Sequence, residues 1–71
     1  MTLLHMAAGY RQSARLLWLR IVALREAQRT AEPEERRCLE QRIRDLTLLY
    51  RDTQATARVL EHYYDRRYHK E

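Results

Sequence analysis

The stretch ALREAQRTAEPEERRCLEQRI, residues 23–43, contains the point at which the chain reverses direction. Pro33 disfavours helical geometry at the residue before it, and it is well suited to the first turn of a new helix. Glu34 and Glu35 follow, at the positive end of that helix's dipole, where carboxylates are stabilised. The sequence therefore predicts a first helix over about residues 2–30, a turn at about 31–32 and a second helix over about 33–68.

Before the turn, apolar and small residues recur at alternating steps of four and three, which is the pattern of a heptad coiled-coil seam. The first seam comprises Leu3, Ala7, Tyr10, Ala14, Leu17, Ile21, Leu24, Gln28 and Ala31. Thr2 can cap this helix because its hydroxyl can accept a hydrogen bond from a backbone N–H one turn on. Gly9 costs roughly 1 kcal/mol inside a helix. Either it permits a close backbone approach, or the helix begins later, near Ser13.

The second helix repeats the pattern without an interrupting glycine or proline. Its seam comprises Leu39, Ile43, Leu46, Tyr50, Thr53, Ala57, Leu60 and Tyr64. If the chain reverses near residue 32, Ile21 faces Ile43 and Ala14 faces Tyr50, so that large residues meet small ones and aliphatic residues meet one another. This alternation of volume is what close packing requires. The predicted fold is therefore all-α, an antiparallel two-helix hairpin.

The composition agrees with helices, because the 71 residues include one Gly, one Pro and no Phe. A chain this short forms a single domain and usually needs a disulfide, a metal, an oligomer or very regular helix packing to be stable. Cys38 is the only cysteine, so an intrachain disulfide cannot form. No stretch approaches the ~20 apolar residues that span a bilayer, and the lone thiol favours a cytoplasmic location.

Both helices carry more apolar residues than one seam can bury. A surplus of this kind usually marks an interface. The second helix should also outrun the first by about ten residues, roughly 15 Å, and this Tyr-rich tail is either part of the interface or frayed. The predicted interface residues are Leu4, Trp18, Leu19, Val22, Leu48, Leu49, Val59, Tyr63 and Tyr68. We therefore expect a homodimer that completes a four-helix bundle, or a module that docks onto another helical protein.

The C-terminal stretch DLTLLYRDTQATARVLEHYYDRRYHK, residues 45–70, resembles the ends of small uncharacterised bacterial helical proteins that share a Tyr/Arg-rich tail. The resemblance covers about a third of the chain and implies no activity.

An alternative function is RNA or DNA binding, because the net charge is +4 and comes mainly from arginines. Arg11, Arg15, Arg25 and Arg29 recur along one side of the first helix and flank Trp18. Arginines beside an aromatic ring can contact phosphates and stack a base. A further alternative is attachment of this helix to an anionic membrane surface.

The sequence favours no enzyme, metal site or cofactor. His5, His62 and His69 could converge at the open end of the hairpin, but zinc needs three or four ligands in fixed geometry, and surface histidines are the simpler interpretation. Cys38 lies near two arginines, which favour a thiolate, yet no histidine is predicted beside it. Two helices also cannot enclose the concave site that catalysis requires.

Overall fold

The computed structural model describes the backbone of residues 2–68 and the side chains of residues 2–63. Two helices, α1 (Leu3–Gln28) and α2 (Pro33–Tyr68), pack against each other, and residues 2–68 contain no strand. The molecule is elongated, with principal extents of 58 × 16 × 14 Å. The predicted all-α hairpin is confirmed. Neither helix, over the residues described, combines the length and the hydrophobicity needed to cross a membrane.

Helix α1 begins where the capping residue predicts. The Thr2 hydroxyl accepts a hydrogen bond of 3.1 Å from the backbone N–H of His5, which satisfies one of the otherwise unpaired donors of the first turn. The alternative start near Ser13 is therefore wrong. The close backbone approach at Gly9 is also wrong, because a Cβ added there would meet nothing within 4 Å.

Helix α1 ends at Gln28, two residues before the predicted boundary. The backbone N–H groups of Arg29, Thr30 and Ala31 each bond to the carbonyl three residues earlier, at 3.2–3.4 Å. Tightening of this kind is common at the ends of helices. The Arg36 guanidinium donates to the Ala31 carbonyl at 3.1 Å, so the first turn of α2 holds the connecting segment in place.

The core is small and lies on the two predicted seams. Its buried hydrophobic residues are Ala7, Ala14, Ile21, Ala31, Ile43 and Ala57. Four of these six are alanines, and Ile21 is the only large side chain of the described part that is wholly inaccessible to solvent. The contact between the helices is therefore close, but it removes little apolar side-chain area from water.

The other seam residues that the structure describes are half-buried, with one departure, and Tyr64 lies outside the part whose side chains are described. Leu17 and Leu24 of α1 and Leu39, Leu46 and Leu60 of α2 are intermediate in exposure. Tyr10 is 39% exposed, so its ring lies at the margin of the seam. The residue pairs that the sequence predicts to face each other across the seam, such as Ile21 and Ile43, stay predictions.

Helix α2 has 36 residues and α1 has 26, a difference of ten that corresponds to about 15 Å of helix. In the extension, Tyr63 is 61% exposed. The predicted interface residue Tyr68 and the histidine His69 lie outside the part whose side chains the structure describes.

Candidate functional site

Every predicted interface residue that the structure describes is exposed. The exposed fraction is 43% for Trp18, 45% for Val22 and 51% for Leu49. The others in this group are Leu4, Leu19, Leu48, Val59 and Tyr63. The hairpin therefore leaves large apolar side chains in contact with water on both helices, more than it places in its own core.

The contact between Arg11 and Glu61 shows which flank of α1 and which flank of α2 belong to the same face of the hairpin. The Arg11 guanidinium donates hydrogen bonds of 3.0 Å and 2.8 Å to the two carboxylate oxygens of Glu61. Both residues flank the buried seam, so this flank of α1 and this flank of α2 form one face of the hairpin. Residues seven apart along a helix lie on nearly the same side, so Leu4, Trp18 and Arg25 share the face with Arg11.

We call this side the basic face and define it by its exposed arginines. They are Arg15, Arg25, Arg29, Arg37, Arg44, Arg51 and Arg58. The last four follow one another at intervals of exactly one heptad along α2, and sequence reasoning missed them because it considered α1 alone. The signal that could have found them is their strict seven-residue spacing beside a seam. Trp18 and Val22 lie on this face, among the arginines.

Three of the four predicted nucleic-acid contacts on α1 already have a partner within the chain. Arg11 is bound to Glu61, and the Arg25 guanidinium carbon lies 5.8 Å from the centroid of the Trp18 ring. Arg29 approaches Glu26 at 3.4 Å, with about three-quarters of its side chain exposed. Arg15 makes no ion pair with the side chains of residues 2–63.

The Trp18 ring is part of the packing between the helices. Its centroid lies 5.5 Å from that of Tyr50 on α2, with the ring planes tilted by 38°. A tilted arrangement at this distance is a favourable geometry for an aromatic pair. Because Trp18 contacts both Tyr50 and Arg25, it is not a bare platform for stacking a base.

The opposite side is the apolar face, which we define by its exposed hydrophobic residues. They are Met6, Tyr10, Leu16, Leu49, Val59 and Tyr63. Leu16 is exposed, as its position off the seam predicts, whereas Tyr10 was expected in the seam and Met6 was missed. The charges on this face are of both signs, since Arg20 and Arg42 are accompanied by Asp45 and Asp52.

A shallow, open groove of about 440 Å³ lies at the α1 edge of the apolar face. It is lined by His5, Met6, Gly9, Tyr10 and Ser13. Gly9 supplies its floor, because the absence of a side chain there leaves open space above the helix. The groove has the shape to accept a side chain from another molecule, but it does not enclose a ligand.

The predicted interface residues therefore do not form one patch. Leu49, Val59 and Tyr63 lie on the apolar face, whereas Leu4, Trp18 and Val22 lie on the basic face. Leu19 and Leu48 occupy the outer sides of their helices, farthest from the seam. A single flat partner could not cover all of them at once.

The contact between Arg11 and Glu61 shifts the pKa of both groups. The hydrogen bond from Arg11 lowers the pKa of Glu61 below the ordinary glutamate value, and partial desolvation opposes this change. The same hydrogen bond raises the pKa of Arg11. Both side chains are more than a third exposed, at 39% and 37%, so solvent and salt screen the interaction.

The described residues that were considered for metal binding and catalysis lie on the surface. His5 and His62 are exposed, and so is the free thiol of Cys38. Within the described part of the chain, no group of three or more histidine, cysteine or acidic side chains is placed to hold a metal ion.

Comparison with known proteins gives no match to a protein family, a curated protein or a solved structure.

Proposed function

We propose that this protein is a non-enzymatic association module that pairs with a second copy of itself through the apolar face, so that two hairpins form a four-helix bundle. The observation that carries the proposal is the contrast between the core and the surface. The core consists of four alanines and two isoleucines, while six large hydrophobic side chains on the apolar face stay exposed.

The energetics favour association. Burying a Val, Leu, Ile, Phe or Met side chain completely is worth about 1.5–3 kcal/mol, so Leu16 and Leu49, each more than half exposed, have much of that stabilisation still to gain. A core made mostly of alanine gains little by comparison. Small helical chains commonly compensate for a thin core by forming oligomers, and symmetric dimers are the commonest form.

Charge supports the apolar face as the side that meets a second copy. If two basic faces met, seven arginines of one chain would oppose seven of the other, and like charges brought together are unfavourable. On the apolar face Arg20 and Arg42 could instead approach Asp45 and Asp52 of another copy. The groove beside Gly9 offers a place for a side chain of that copy to enter.

Sedimentation equilibrium over a range of micromolar concentrations tests the proposal. We expect the wild type to form dimers, and we expect Leu49→Gln to weaken the dimer by roughly tenfold, the effect of about 1.4 kcal/mol of lost burial. Leu48→Gln is the matched control, because Leu48 precedes Leu49 but lies on the outer side of α2. A folded wild type that stays monomeric at all concentrations would refute the proposal, and equal weakening by both variants would refute the choice of face.

A docking site for another helical protein would use the same apolar face. This function would be indicated if the folded chain stays monomeric and binds a helical partner. Leu49→Gln should then weaken the binding, and Leu48→Gln should leave it unchanged. Nucleic-acid binding through the four arginines of α1 alone has weaker support, because Arg11 and Arg25 are engaged within the hairpin.

A further inference from the structure

We propose that the basic face, formed by arginines of both helices, binds the phosphate backbone of a double-stranded nucleic acid. The inference is independent of self-association, because the basic and apolar faces lie on opposite sides of the hairpin. One chain can therefore contact a second copy and a nucleic acid at the same time.

The length and regularity of the arginine row support a duplex ligand. Arg37, Arg44, Arg51 and Arg58 repeat every seven residues on one continuous helix. At 1.5 Å per residue they are spaced by about 10 Å, and the row extends over about 31 Å. One turn of a DNA duplex is about 34 Å long. The row therefore spans about one helical turn of a duplex, and one continuous helix holds its charges at a fixed spacing.

Helix α1 and its C-cap add further charges on the same face. They are Arg15 and Arg25 in the helix and Arg29 at the cap, and all three are exposed. Few carboxylates lie near these arginines. Glu61 is held by Arg11, Glu26 is approached by Arg29 at 3.4 Å, and Glu40 flanks the seam of α2 on this side. The arginines of the basic face therefore outnumber the carboxylates close to them.

The contacts of Trp18 favour phosphate over base recognition. Its ring packs against Tyr50 and beneath Arg25, so less of the ring is left for a single-stranded base to stack on than a bare indole would offer. Guanidinium groups bind phosphate oxygens in a bidentate manner and carry no sequence information when they contact only the backbone. We therefore infer binding that depends on charge and on helical shape and is insensitive to sequence.

Fluorescence anisotropy with a labelled RNA or DNA duplex two helical turns long tests the inference. Wild type should bind at low salt, and the affinity should fall steeply as salt increases. The double variant Arg44→Gln/Arg51→Gln should bind at least roughly tenfold more weakly, with a log–log salt slope shallower by about 1.8, because each lost phosphate contact removes about 0.9. Circular dichroism should show an unchanged helix content, since both residues are exposed.

The matched control is Arg20→Gln/Arg42→Gln, which removes the same charge from the opposite side. Because both residues lie on the proposed dimer face, the variants are compared at protein concentrations below dimerisation, where the control should retain the wild-type slope. Absence of duplex binding at low salt would overturn the inference. Equal loss in the two double variants would overturn it as well, because binding would then follow net charge alone. Tighter binding of a single strand of the same sequence, or binding only to vesicles that contain phosphatidylserine, would assign the face to another ligand.

Discussion

The guanidinium of Arg11 holds the carboxylate of Glu61 through two hydrogen bonds of 3.0 and 2.8 Å, although fifty positions separate the residues in the sequence. The pair lies toward the open end of the hairpin, far from the turn at residues 29–32. Among the described side chains it is the one ion pair that joins α1 to α2. It therefore helps to hold together the end of the hairpin that the covalent turn does not constrain.

This pair should make the stability of the hairpin depend on pH in acid. Arg11 lowers the pKa of Glu61 in the folded chain, so the pair stabilises the fold above the ordinary glutamate pKa of 4.5 and loses that contribution as the pH falls through the lowered value. Wild type should therefore be more stable than Glu61→Gln at about pH 7, by a small margin because the pair is exposed, and nearly equal to it at about pH 3.

Urea unfolding followed by circular dichroism at the two pH values measures this difference. Glu40→Gln is a suitable control, because Glu40 occupies the equivalent flank of α2 and forms no ion pair with the described side chains. A stability difference between wild type and Glu61→Gln that is the same at both pH values would show that the pair contributes nothing through its charge.

The seams of this fold could be predicted because the buried side of a helix follows from the spacing of its apolar residues along the sequence. All six core residues lie at steps of three and four that are visible in the sequence, and the start of α2 follows from the geometry of Pro33. The end of α1 was less predictable. It depends on the hydrogen bonds of residues 29–31 to carbonyls three residues back, which compete closely with continuation of the helix.

The division of the surface into a basic face and an apolar face was harder to predict than the seams. It depends on which flank of α1 lies beside which flank of α2, and that relation becomes visible only in the contact between Arg11 and Glu61. Without it, Trp18, Val22 and Leu49 resemble members of one apolar patch. The surplus of exposed apolar residues was predictable from composition, but their distribution between two faces was not.

Ile21 should be the most sensitive position of the core. It is the one large side chain of the described part with no exposure, and truncation of a buried isoleucine to alanine usually costs about 2–5 kcal/mol. That is a large share of the stability of a small domain, so Ile21→Ala should unfold at much lower urea concentration. Val22→Ala, next in sequence but on the basic face and 45% exposed, should change stability far less. Similar losses in both variants would contradict the assignment of the seam.

Gly9→Ala should stabilise the hairpin at protein concentrations below dimerisation. Gly9 lies inside α1 and an added methyl group would meet no atom within 4 Å, so the change removes the entropic cost of a helical glycine, about 0.5–1 kcal/mol. Ala8→Gly, at the exposed neighbouring position, should destabilise by a similar amount. Thermal unfolding followed by circular dichroism measures both changes. Destabilisation by Gly9→Ala only above the dimerisation range would show that a second molecule packs closely against this position and needs the space.

The fluorescence of Trp18 should distinguish the two faces in solution. Trp18 is the only tryptophan and lies on the basic face beside Arg25. If copies associate through the apolar face, iodide should quench Trp18 nearly as well at protein concentrations above the dimerisation range as below it. Addition of a nucleic-acid duplex at low salt should protect the ring, because the ligand would cover the neighbouring arginines and exclude the anion. Quenching that falls sharply on dimerisation alone would instead place Trp18 in the interface between copies.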